Sequence, residues 1–293
     1  MLKKLAERLH LTLQHGQNLK IVIRLGLNCV QLLRLRVFKL FHGIRRPIVH
    51  YYAICWNEEK MLPFMFDHYE RFVDRFTIYD NYSDDSSETI IKSHPNTIVE
   101  KFSMDGQIND SVYQEIKNNC WKQSRGKADF VIVCDMDEVL YHPDMENALK
   151  RLAKEKVTLP ATEGFEMYSE AFPDYEKGKQ ITEKVCLGVR SHWLDKSIVF
   201  DPHRIVEINY AIGAHQAEPT GIVRRCDETV FKVLHYKHLG VDYLMDRYRK
   251  FRNRLSTFNI ENQYGSHYLA KEEELQKEMK QGLAEAHIVV ELP

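Results

Sequence analysis

Between residues 48 and 155 short apolar runs alternate with segments of helical periodicity, and this rhythm restricts the fold more than any other feature of the chain. IVHYYAICWNEE, beginning at Ile48, reads as a strand entering a polar loop, and KMLPFMFDHYERFV then carries apolar residues at helical spacing. RFTIYDNYSDDSS reads as a second strand running into an Asp/Asn/Ser loop, ETIIKSHP as a short helix stopped by Pro95, and NTIVEKF as a third strand. DSVYQEIKNNCWKQSRG predicts a helix closed at Gly126, and ADFVIVCDMDE follows. Such alternation predicts a parallel, Rossmann-like sheet. Further on, KVCLGVRSHWLDKSIVF, HRIVEINYAIGAH and TVFKVLHYKHLG read as extended strands, and helices return after Gly240 as VDYLMDRYRKFRNRLS and KEEELQKEMKQGLAEA. The expected fold is α/β: a Rossmann-like mixed sheet with a basic helical appendage before it and helices at its end.

The stretch VIVCDMDEVLYHP concentrates the chemistry. Val131 to Cys134 read as a short buried strand, so Asp135, Asp137 and Glu138 emerge where it ends, the edge at which open α/β sheets bind ligands. Two aspartates one residue apart suit a hard divalent cation such as Mg²⁺ or Mn²⁺. The competing structural reading is a polar turn leading to a helix that starts near Asp144.

Charge is uneven along the chain. Overall the formal charge is −1, but residues 1–46 hold ten Lys or Arg against Glu7 alone, whereas residues 47–293 hold 31 against 41, so a +9 leader precedes a −10 remainder. Leu19 to Phe41 mixes Ile, Val, Leu and Phe with Arg and Lys at helical intervals, which suggests a basic amphipathic helix able to lie on a membrane, or else one packed on the domain with its charges solvated. No uncharged run approaches the ~18 residues that span a bilayer, and no cleavable apolar leader is evident. The six cysteines are widely spaced without a C-x-x-C pair, which fits a reduced, cytoplasmic setting. The expected division is a leader over 1–46 and one domain over 47–293.

VIVCDMDEVL resembles the first motif of haloacid dehalogenase-type phosphatases, which would make Asp135 a nucleophile, but some 80 residues of alternation precede it and the later acidic pair is missing. From Ile48 to Tyr268 the chain resembles family 2-type glycosyltransferases with the A-type nucleotide-sugar fold: AICWNEEKMLPFMFDHY, IYDNYSDDS, VIVCDMDE, GFEMYSEAFP, DKSIVFDP, GAHQAEPTG, LHYKHLG and RLSTFN follow in the expected order. That resemblance implies a metal-dependent, inverting transfer of a sugar from a nucleotide sugar, UDP-linked as the family resemblance suggests, to a glycan or lipid-linked acceptor. It implies Mn²⁺ or Mg²⁺ on Asp135 and Asp137, with His235 as a further ligand and His215 in reserve.

Within this scheme Asn57 and Glu58 after the first strand, and Asp80, Asn81 and Asp84 after the second, are expected to hold the nucleoside, with Asx turns and helix caps as the structural alternative. Lys196 or Lys237 would neutralise the diphosphate. The acceptor base is sought among Glu166, Glu170 and Asp174, with Glu170 favoured because it sits near a strand's exit. No G-x-G-x-x-G pattern supports NAD(P). The Arg-rich DRYRKFRNR raises RNA binding as a reading of another class, but Arg247, Arg249, Lys250, Arg252 and Arg254 cover several sides of one helix, so no nucleic-acid partner is expected.

Overall fold

A computed structural model describes residues 18–226 and 230–291. The first half consists of α1 (Asn18–Phe41), β1 (Val49–Cys55), α2 (Leu62–Tyr69), β2 (Arg75–Asp80), α3 (Ser87–Ser93), β3 (Thr97–Lys101), α4 (Asp110–Asn119) and β4 (Phe130–Asp135). Then come β5 (Glu138–Tyr141), α5 (Met145–Glu155), β6 (Thr162–Ser169), α6 (Ile181–Lys184), β7 (Leu187–Arg190), β8 (Val199–Phe200), β9 (Ile205–Glu207), β10 (Thr220–Gly221), β11 (Phe231–Leu239), α7 (Val241–Arg252), α8 (Thr257–Glu261), α9 (Glu272–Glu285) and β12 (His287–Ile288).

The alternation in the first half produces a sheet of order β3-β2-β1-β4-β8, parallel except for β8. Local signals set the helix ends. Asn109 caps α4 by accepting from the Ser111 amide, Asp144 caps α5 through the Asn147 amide, and Lys156 ends α5 in a left-handed conformation. The segment expected to be one helix to Gly126 instead tightens into a 3₁₀ turn over Cys120–Ser124.

The second sheet has the order β12-β7-β6-β11-β5. Only two residues separate the end of β4 from β5, the edge strand of this second sheet, so the Met136–Asp137 turn is the junction between the two sheets. Tyr236 N–H donates to the Asp137 carbonyl at 2.7 Å, pinning that junction to β11. Of the strands expected in the second half, β11 forms at full length, whereas HRIVEINYAIGAH and KVCLGVRSHWLDKSIVF yield only short strands and 3₁₀ turns. Phe200, Ile205, Ile208, Tyr210 and Ala214 are buried by wrapping around the first sheet rather than by pairing in long ladders, whereas Val185 packs in the core of the second sheet and Leu187 and Trp193 stay exposed.

Helix α1 packs on the amino-terminal side of the first sheet. Leu35 joins Ile48 and Ala128, Lys39 pairs with Asp129 at 2.6 Å just before β4, and Asn28 Nδ2 donates to the His203 carbonyl at 3.0 Å. Among the described residues no helix is long and apolar enough to cross a membrane.

Candidate active site

At the carboxyl ends of β1 and β4 the two sheets enclose a cleft of about 390 Å³. Its wall includes Glu58 after β1, Asp110 and Lys117 of α4, the Asp135–Glu138 junction, Glu166 of β6, Trp193 and Lys196, His215, His235 and Lys237 of β11, and Arg247 of α7. The strand-end carboxylates lead here because β4 is buried along its whole length until Asp135.

Each acid of the junction is met by a cation. Asp135 Oδ1 lies 2.6 Å from Lys117 Nζ, and its other oxygen 3.8 Å from Lys196 Nζ. Burial would raise its pKa, but the two lysines hold it below the ordinary value. Lys196 also bonds the fully buried Glu138. Asp137 Oδ2 accepts from Arg247 Nη2 at 2.9 Å and lies 3.4 Å from His235 Nε2. Against burial, Arg247 and His235 hold its carboxyl well below the usual range. Arg247 Nη1 reaches Glu58 at 2.7 Å; burial nevertheless pushes Glu58 up to about 7, an effect Arg247 only partly offsets.

His235 is the hinge of a second constellation. Its Nδ1 stands 2.9 Å from Glu166 Oε2, and His238 Nδ1 stands 3.3 Å from the same oxygen. In a regular strand residues three apart point to opposite faces. Here the β11–β6 register shifts between His235 and His238, and this bulge aims both imidazoles at Glu166. Burial opposes a charge on His235, yet Glu166 and Asp137 raise its pKa to about 10. His215 differs: it stacks on Trp193 at 4.4 Å, Nδ1 meets the Trp193 carbonyl at 3.0 Å, and burial and Lys196 depress its pKa to about 3.

Asp137 and His235 are the residues that could hold a divalent cation. Asp137 Oδ2 and His235 Nε2 converge, and the other ring nitrogen is held by a carboxylate, the arrangement that orients a histidine ligand. Among the described residues no three His, Cys, Asp or Glu side chains converge on one point. Mg²⁺ and Mn²⁺ rarely need such a cage, since water and phosphate oxygens fill their remaining positions.

Several expectations require correction. Glu170 lies beyond the end of β6, is exposed and does not border the cleft, because the strand stops at Ser169 and the chain turns outward; Asp174 is exposed as well. Asp80 is fully buried at the end of β2, where it accepts from Ser83 and Lys101, so it anchors a loop. Asn57 and Asp84 clasp each other: Asn57 Nδ2 donates to Asp84 at 2.5 Å, and the Asp84 amide donates back at 2.9 Å. With Asn81 they border a shallower cavity of about 520 Å³ beside the cleft. In that cavity's wall the buried Asn81 Nδ2 and Arg254 Nη1 have no hydrogen-bond partner, and the Arg254 guanidinium lies 3.5 Å from the Trp56 ring centre.

Sequence reasoning missed Asp110, Lys117 and Arg247. Asp110 is the one cleft carboxylate with no cation within 4.0 Å among the described residues, and burial raises its pKa. Its position directly after Asn109, a recognisable cap ahead of a helix, was the available signal. Arg247 is mostly buried, its side chain 14% exposed, rather than solvated.

The family model described as glycosyltransferase family 92 matches residues 50–279. Among solved structures the chain is similar to residues 1–349 of S. aureus TarS, at 10% identity and a TM-score of 0.41, over 76% of this chain and 70% of that one. It is likewise similar to the same protein in complex with UDP-GlcNAc, at 10% identity and a TM-score of 0.42, over 76% and 71%. No curated protein matches.

Proposed function

This chain belongs to glycosyltransferase family 92, and from that premise we propose that it moves a sugar from a nucleotide-linked donor, UDP-linked, to a glycan or lipid-linked acceptor with inversion. The observation that carries this reading is the pairing of strand-end acids with cations in one cleft: Asp135, Asp137, Lys117, Lys196, His235 and Lys237. A nucleoside diphosphate leaves with dense negative charge, and such a site can bind and stabilise it. The family 2-type resemblance extends here to the glycosyltransferase class; the matched family is 92.

In this scheme Asp137 and His235, with Asp135 nearby, would hold Mn²⁺ or Mg²⁺, which would supply Lewis-acid neutralisation of the diphosphate. Glu166 accepts from His235 Nδ1–H, so that Nε2 would ligate once it has lost its own proton. Lys117, Lys196 and Lys237 line the path of the phosphates. Asn81 and Arg254 line the adjoining cavity beside Trp56, where the nucleoside would sit. Glu58 stays tied to Arg247, so its part is to hold the arginine. Asp110 accepts the proton of the acceptor hydroxyl as that oxygen bonds to the anomeric carbon and the bond to the phosphate oxygen breaks. A carboxyl raised by burial and free of a cation is the better base, whereas Glu166 is committed to two imidazoles. Residues 1–46 form an attached basic segment, residues 47–293 the catalytic domain, and the reaction faces the cytoplasm.

A panel of nucleotide sugars with Mn²⁺, scored for transfer and hydrolysis, tests this. Transfer should vanish in EDTA and in Asp137→Asn; full activity in EDTA removes the metal from the scheme. Asp110→Asn should lower kcat by about 100-fold with donor KM retained. A product keeping the donor's anomeric configuration refutes the single displacement.

A further inference from the structure

We infer that the outward face of α1 is a membrane-contact surface that lies along anionic lipid. The helix buries one side against the domain, with Leu25, Asn28 and Leu35 each 6% exposed or less. The opposite side is also apolar: Leu19, Ile23, Leu27, Val30, Val37 and Phe41 are between 44% and 82% exposed. A helix packed on the domain with only its charges in solvent would show a polar outer face. This one shows an apolar stripe interrupted only at Arg34.

Charge and period select the occupant. The helix contains Lys20, Arg24, Arg34, Arg36 and Lys39 and no acidic residue, and all of these but Lys39 are exposed. Lysine and arginine stems can run along the apolar stripe and lift their charges to headgroup level. Nucleic acid would satisfy the charges but leave the stripe in water, whereas an anionic bilayer surface satisfies both. A second copy packed as a coiled coil needs a 3.5-residue seam. Here the positions 19, 23, 27, 30, 34, 37 and 41 step by about 3.7 residues on average and Arg34 occupies one of them, so the face does not hold an apolar 3.5-residue seam. Because no described helix can cross a bilayer, α1 would lie in the interface plane. Lys39 pairs with Asp129 just before β4, whereas Asp135 in the cleft closes that strand, so roughly 20 Å of strand separates this face from the cleft. The inference is independent of the sugar-transfer reading.

Co-sedimentation of the full chain with phosphatidylcholine vesicles containing about 30% phosphatidylserine, against phosphatidylcholine alone, tests the contact. The protein should pellet with the anionic vesicles and be released as salt is raised. Ile23→Ser, Leu27→Ser and Phe41→Ser combined should lower the partition by about 10-fold or more, with unchanged circular dichroism, since each side chain is exposed. Arg34→Gln with Arg36→Gln should lower binding to anionic vesicles and needs no apolar change. Wild type that stays in the supernatant, or a triple variant that pellets as wild type does, overturns the inference. So does a lipid-free dimer that the triple variant splits, which would identify a second copy as the occupant.

Discussion

Glu58 and Asp137 share the guanidinium of Arg247, and this is where a single residue matters most. Both acids are nearly fully buried, so Arg247→Met leaves two carboxylates without their shared partner. Breaking a buried ion pair from one side costs about 3 kcal/mol or more, and urea unfolding at neutral pH should register that loss. His235 sets a pH dependence. Its folded pKa of about 10 exceeds its ordinary 6.5, so its contribution to stability is complete below about 6.5 and is lost as pH rises towards 10. His235→Gln should flatten that slope in denaturation curves recorded across the window. Because a ligating imidazole must lose its proton, Mn²⁺ affinity should rise over the same window in the wild type. The acids Asp135 and Asp137 were legible from their place after four apolar residues. Arg247 was not, because a helical pattern tells which side a residue occupies but not what that side faces.

Among the elements, the 3₁₀ turn His192–Leu194 depends on a glycine across from it. A Cβ on Gly164 in β6 would lie 2.1 Å from Leu194 Cβ, so only a residue without a side chain lets the turn approach and carry Trp193 to the cleft wall. Gly164→Ala should destabilise the fold by about 1–3 kcal/mol, the range for overpacking. It should also raise the KM for the donor, since Trp193 seats His215 and Lys196 follows closely; unchanged stability and KM together would disprove the dependence. The bulge in β11 belongs to the same scale. Alternation read from HYKH places His235 and His238 on opposite faces, and only the register shift brings both to Glu166. The exit of β6 was likewise misjudged by one residue, which sent Glu170 into solvent and left Glu166 in the cleft.

For the molecule as a whole, the cleft takes its walls from both sheets and from α4 and α7, so a bound donor should tie these parts together. UDP with Mn²⁺ at about 100 times its Kd should add roughly 2.7 kcal/mol of stability, a rise in Tm of several degrees. Hydrogen exchange should then slow in residues 54–58, 108–117, 192–196 and 231–254 together; protection confined to the first sheet would mean that the nucleotide does not bridge the cleft. The charge division between residues 1–46 and the remainder works at this scale too, placing a basic helix on the amino-terminal side of a sheet whose carboxyl edge holds the cleft.

The parallel order of the first four strands, the strand-end position of Asp135 and Asp137, the helices after Gly240 and the basic amphipathic helix all follow from local period and local charge, which a chain displays residue by residue. Ion-pair partners, the bulge, the end of β6 and the outward apolar face of α1 follow from contacts between segments far apart in the chain. Lys117 meets Asp135 across 18 residues, Glu166 meets His235 across 69, and Arg247 meets Glu58 across 189. Which charge is neutralised, and by what, is settled only when the two sheets close on the cleft, because the energy of a buried charge depends on its neighbours in space.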